Sequence, residues 1–243
     1  MSGHSKWSTI KRKKEKTDAQ RAKIFTKIGR ELAIAVRSGG PDPAANGKLR
    51  DCIAKAKSNN VPSDNIDRII KKAAGDGDGA NYEEITYEGY GPSGVAIIVA
   101  TLTDNRNRTA ADLRHYFDKF GGNMGLPGSV AFMFGRKGVI LVNVSAGDED
   151  AVMEAALEAG ADDFSLLDED GVYEIITEVS GFAAVREALE QAYGDKVESA
   201  ELSYIPTTYS TLTDEDDINK MTRLLDAFDD NDDVQDVWHN LQD

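Results

Sequence analysis

Val139-Ile140-Leu141-Val142-Asn143-Val144 opens the stretch whose reading decides the fold. These residues read as a strand, and a regular alternation follows them: helix 149–159, strand 163–167, a tight Asp168-Glu169-Asp170-Gly171 turn, strand 172–178, helix 181–193 and strand 197–204. That order is β-α-β-β-α-β, the split βαβ arrangement of a ferredoxin-like fold, and it is complete in itself.

A complete unit leaves its flanks to pack with something else. On the C-terminal side stand one capped helix, Asp214 to about Phe228, and one short strand, Val234 to Trp238. On the N-terminal side, Ile85-Thr86-Tyr87-Glu88 and Val95 to Val99 read as strands joined by a Gly89–Gly94 turn. A helix over Thr109 to Phe120, a glycine-rich Gly121–Gly125 loop and a strand from Val130 to Phe134 complete that side. Neither flank makes a domain alone. The economical solution is one discontinuous α/β domain, 81–135 with 206–243, into which 138–205 is inserted.

Further out, Gly75-Asp76-Gly77-Asp78-Gly79 is the clearest linker. Its acidic alternation lacks the later oxygen ligands of a calcium loop, so no metal site is read there. The N-terminal side of this linker carries helical periodicity. Thr17 or Asp18 caps a helix to about Arg37, in which Ile24, Ile28, Leu32 and Val36 share one arc while Lys23, Lys27, Arg30 and Arg37 share the opposite one. A second helix runs from Pro43 to about Ser58, with Leu49 and Ile53 inward and Lys48, Arg50, Lys55 and Lys57 outside. Ser63 caps a third, which ends at Gly75. The whole is an α+β, multidomain chain: residues 1–75 as a basic arm plus three-helix domain, then two α/β domains, one inserted into the other.

Charge divides the chain in the same place. Its 243 residues carry a net charge of −15. Residues 1–75 hold 18 Lys and Arg against 7 Asp and Glu, a net of +11; the remainder holds 10 against 36, a net of −26. Such asymmetry points to an end that faces a polyanion and a body that is repelled by it. No apolar run is long enough to span a membrane, the charged start is no secretory signal, and a single cysteine, Cys52, leaves no disulfide framework. A cytoplasmic protein without cofactor is expected.

Catalysis finds no foothold. His4, His115 and His239 lie in separate segments, and Cys52 sits at an apolar helical position, as a small core residue does. The nucleic-acid candidates are Lys6, Trp7, Lys11, Arg12, Lys13, Lys14 and Lys16 of the arm, with Lys23, Lys27 and Arg30 of the first helix. The cations neutralise phosphates and release counterions. Trp7 either stacks on an exposed base or anchors the arm to the helices. A second candidate lies in Asp104-Asn105-Arg106-Asn107-Arg108-Thr109, where Asn105, Arg106 and Arg108 form a phosphate or carboxylate cradle at a helix start, or else pair and cap internally.

Gly3-His4-Ser5-Lys6-Trp7, Ile24-Phe25-Thr26-Lys27, Gly39-Gly40-Pro41-Asp42-Pro43, Tyr87-Glu88-Gly89-Tyr90-Gly91-Pro92, Asp104 to Thr109 and Gly128-Ser129-Val130 together resemble the YebC/PmpR family in order and over nearly the whole chain. The resemblance implies a cytoplasmic protein with a helical N-terminal domain and two α/β domains. Members are described as DNA-binding transcriptional regulators; some, mitochondrial relatives included, are linked to translation on the ribosome, with rRNA or tRNA as partner. A third possibility is a scaffold whose acidic domains recruit proteins.

Overall fold

The computed structural model describes residues 18–75 and 82–242. The first segment forms α1 (Asp18–Gly39), α2 (Gly47–Ser58) and α3 (Ser63–Gly75). Ile28, Leu32, Ala35 and Val36 of α1 close over Leu49, Cys52, Ala56 and Ile66. Each large aliphatic side chain removed from water here contributes about 1.5–3 kcal/mol. Burial pushes the Cys52 thiol up to about 12, so at neutral pH it is a protonated core group.

The second helix starts at Gly47, later than Pro43. Asp42 closes the intervening turn by accepting from the amides of Ala44, Ala45 and Asn46, and Asn46 then caps α2 by accepting from the Leu49 amide at 3.0 Å. The same buried Asn46 donates to the carbonyls of Ala35 and Gly40 at 2.7 and 2.8 Å. One side chain thus fixes both the end of α1 and the start of α2.

From residue 82 the chain forms β1 (Glu83–Tyr90), β2 (Ala96–Thr103), α4 (Arg106–Lys119) and β3 (Asn123–Met124). Next come β4 (Phe134–Asn143), α5 (Glu149–Glu158), β5 (Asp163–Leu167), β6 (Val172–Glu178), α6 (Phe182–Tyr193) and β7 (Val197–Pro206). Last are β8 (Ser210–Thr211), α7 (Glu215–Asp230), β9 (Val234–His239) and β10 (Leu241–Gln242). One sheet has the order β3-β1-β2-β9, another β5-β6-β4-β7, and β8 pairs with β10. All pairings in the second sheet are antiparallel, and β4 to β7 form the split βαββαβ unit, interposed between β3 and β9 of the first sheet.

Strand β2 is the spine of the first sheet and is apolar on both faces. Ile97 and Val99 pack under α4 and α7, with Phe117 against Phe228 at 5.2 Å. Ala96 and Ile98 face Val130, Phe134, Tyr204 and Trp238. The Trp238 indole donates to Ser203 at 2.9 Å, which ties β9 to β7.

Residues 130–134 are not a strand of their own. Ala131–Met133 is a single 3-10 turn, and Phe134 begins the long strand that continues through Asn143. The cause is Glu88, whose buried carboxylate accepts from the amides of Gly128 at 2.6 Å and of Val130 and Ala131 at 2.8 Å each. Amides spent on a carboxylate are not available to a sheet ladder. Burial opposes the charge of Glu88, yet the three amides prevail and hold its carboxyl below the usual range. Glu88→Gln is expected to lower unfolding stability by about 2 kcal/mol, since an amide nitrogen replaces one acceptor oxygen. A urea titration reads this directly, and an unchanged midpoint would contradict it.

Candidate nucleic-acid interface

Lys6, Trp7, Lys11, Arg12, Lys13, Lys14 and Lys16 lie outside the described residues, as does most of the linker after Gly75. The described part of the candidate surface therefore begins on α1. Its cationic arc faces the acidic turn between α7 and β9. Lys23 pairs with Asp230 at 2.6 Å, and Lys27 donates to the Asp229 carbonyl at 3.2 Å. Arg30 donates to the Asp232 carbonyl at 2.7 Å and to the Asp233 carboxylate at 3.3 Å, with its guanidinium over the Tyr82 ring. The bond from Asp230 and the nearby carboxylates raise the Lys23 pKa above its ordinary value.

Asp233 is the centre of this contact. Its side chain is buried and accepts from Arg108 at 2.7 Å, Thr109 Oγ1 at 2.8 Å and Thr103 Oγ1 at 3.1 Å. Burial works against its charge, but Arg108 and the two hydroxyls outweigh it and hold the carboxyl below the usual range. Arg108 also pairs with Asp104 at 2.9 Å, and Asn105 caps α4 by accepting from the Arg108 amide at 3.1 Å. Of the two readings of this segment, Asn105 and Arg108 take the internal one: they cap and pair. Arg106 is exposed, and its carbonyl accepts from the Tyr87 hydroxyl at 3.4 Å. A cleft of about 310 Å³ opens between Arg30, Tyr82, Asp104, Arg108, Asp232 and Asp233. Three carboxylates against two guanidiniums make it no anion cradle.

Two lysines assigned to the outer face of the second helix are not available. Lys55 lies at the junction of all three units, 2.9 Å from Glu31 and 3.3 Å from Asp236. Burial disfavours its charge, and Asp236 and Glu31 overcome that, so its pKa is raised. Lys48 pairs with Glu84. A helical period identifies which side chains leave the local core; it does not identify what the outer arc will meet. Helix α2 also docks on the inserted domain through Asp51 and the buried Arg186 of α6.

Among the described cations of the helical domain, besides the paired Lys48, Arg37 of α1, Arg50 and Lys57 of α2 and Arg68, Lys71 and Lys72 of α3 are exposed. Spacing and composition do not single out Lys71 and Lys72, although the adjacent lysine pair toward the end of α3 was the available signal.

Comparison with known proteins covers both halves of the chain. The family model described as the TACO1/YebC protein N-terminal domain matches residues 5–76, and that of the TACO1/YebC second and third domain matches residues 82–241. A probable transcriptional regulatory protein of Agathobacter rectalis is 59% identical over 244 residues, with 100% of both chains covered. One from Acetivibrio thermocellus is 58% identical over 241 residues, covering 99% of this chain and 98% of the relative. The crystal structure of a conserved hypothetical protein from Aquifex aeolicus superposes with a TM-score of 0.85 at 43% identity, covering 98% of this chain and 96% of that one.

Proposed function

The chain belongs to the TACO1/YebC family, and from that premise we propose that it is a nucleic-acid-binding regulatory protein, acting on DNA as a transcriptional regulator, and not an enzyme. The observation that carries this reading is the charge partition in its folded form. Arg50, Lys57, Lys71 and Lys72 are solvent-facing on one small domain, while in the acidic remainder Arg108, Lys137, Arg186 and Lys220 are paired with carboxylates. The names of the relatives support the regulatory role. The basic residues of the arm add charge that neutralises phosphates.

A second reading, a translation factor on ribosomal RNA or tRNA, has one observation in its favour. Helix α3 follows α2 after a four-residue turn, as a recognition helix would, yet its first turns carry Asp64 and Asp67 and its lysines lie at the far end. Recognition helices present their N-terminal residues to base edges. Carboxylates there oppose a duplex groove.

Crosslinking in living cells followed by sequencing of the bound nucleic acid separates the readings. Promoter DNA supports regulation of transcription, and predominant ribosomal RNA overturns it. For the surface itself, replacing Lys11, Arg12, Lys13 and Lys14 with alanine is expected to flatten the dependence of log K on log salt by up to about 3.6 on duplex DNA. An unchanged slope rejects the arm as the contact.

A further inference from the structure

We propose that the loop over residues 125–133 is a second nucleic-acid contact, which takes unpaired nucleotides by stacking on Phe132 and Leu126. The proposal rests on the nucleic-acid reading above and adds a site on a different domain. These two side chains are 73% and 80% exposed, the largest exposures among the big apolar residues described. They are not exposed by looseness. The backbone around Phe132 is pinned on both sides: the Ala131 amide donates to Glu88, the Met133 amide to Val130, and the Met133 carbonyl accepts from Thr207 N and Oγ1 at 2.8 and 3.0 Å. Tyr90 holds the Ser129 carbonyl at 2.9 Å, and the Gly125 amide donates to the Glu88 carbonyl at 2.8 Å. A buried carboxylate thus fixes a loop that puts an aromatic ring and a leucine into water. Preorganised apolar groups lose little entropy on binding.

Charge selects the occupant. In a body that carries −26, residues 119–147 contain no Asp or Glu, and Lys119, Arg136 and Lys137 fall within them. Lys137 is consumed by Asp162 and Glu178, whereas Arg136 stays in solvent and Lys119 lies over the Phe120 ring at 5.3 Å. An exposed ring within the one long acid-free span of an acidic body, with the solvent-facing Arg136 four residues on in the chain, suits bases on a phosphate backbone. A patch of two side chains is also far below the roughly 800 Å² per partner of a stable protein interface.

The test uses the full chain and two probes, a fluorescein-labelled single strand of mixed-sequence DNA and its duplex. Phe132→Ala is expected to weaken single-strand binding about tenfold while duplex affinity and the salt slope hold, because stacking is lost and no phosphate contact is. Phe132→Tyr is expected to restore it. The exposed ring leaves the unfolding midpoint unchanged in both variants, so failure to fold does not intervene. If the wild type binds both probes and the Phe132→Ala and Leu126→Ala variants bind the single strand equally well, the loop assignment falls and the nucleic-acid reading stands. If the wild type binds neither probe, both fall. Loss of self-association in sedimentation with single-strand affinity intact would assign the loop to a second copy and also overturn the proposal.

Discussion

Asp233→Ala is expected to destabilise the folded chain by about 3–5 kcal/mol, the range for removing one partner of a buried charged network. The carboxylate receives Arg108, Thr103, Thr109 and Arg30, so its loss leaves the Arg108 charge with Asp104 alone, removes an acceptor from two buried hydroxyls and weakens the hold of the helical domain on the acidic turn. Urea unfolding of the variant measures the first effect. Limited proteolysis after Gly75 reads the second, with faster cleavage expected. Because its carboxyl is held below the usual range, Asp233 stabilises fully above about pH 4 and loses its contribution as pH falls through the lower folded-state value. A variant whose stability matched the wild type at neutral pH would remove Asp233 as the link between domains.

Glu174→Met is expected to do the opposite. Glu174 shares the outer face of the second sheet with Val139, Leu141, Val172 and Ile176, is fully buried, and has no hydrogen-bond partner for either oxygen. Burial first, and then the charge of Asp163, push its carboxyl up to about 7. The folded state therefore binds more protons than the unfolded one between about pH 4.5 and 7, and stability falls as pH rises through that window. Removing the carboxyl abolishes the penalty. The gain is about 3 kcal/mol at pH 8 and much less at pH 5. Equal gains at the two pH values would mean that packing, not ionisation, limits this site. Nothing in the proposed binding surface uses this carboxylate.

The two acids mark where sequence reading stops. Asp233 sits in the run Asp229-Asp230-Asn231-Asp232-Asp233, which by composition is a solvated helix end. Folding buries its last member and turns the others toward Lys23, Lys27 and Arg30. Glu174 interrupts an otherwise apolar strand, Val172 to Thr177, where period 2 allows it to be written as an outward residue. Only the tertiary arrangement, in which Leu167 and Ile205 pack against Val139, Leu141, Val172 and Ile176, makes that outward face dry.

By itself the sequence determined the alternation of elements, because periods of 2 and 3.6 are local properties of the chain. The βαββαβ order from Val139 onward, the three N-terminal helices and the charge division follow from spacing and count alone. Tertiary structure decided which cations are free. Lys55, Lys23 and Arg30 lie on helix arcs turned away from their own core, and whether such an arc meets water or another domain depends on residues 180 or more positions away. It also decided the loop at 125–133. No local pattern announces that Glu88, some forty residues earlier, will take three of its amides and leave Phe132 standing in solvent.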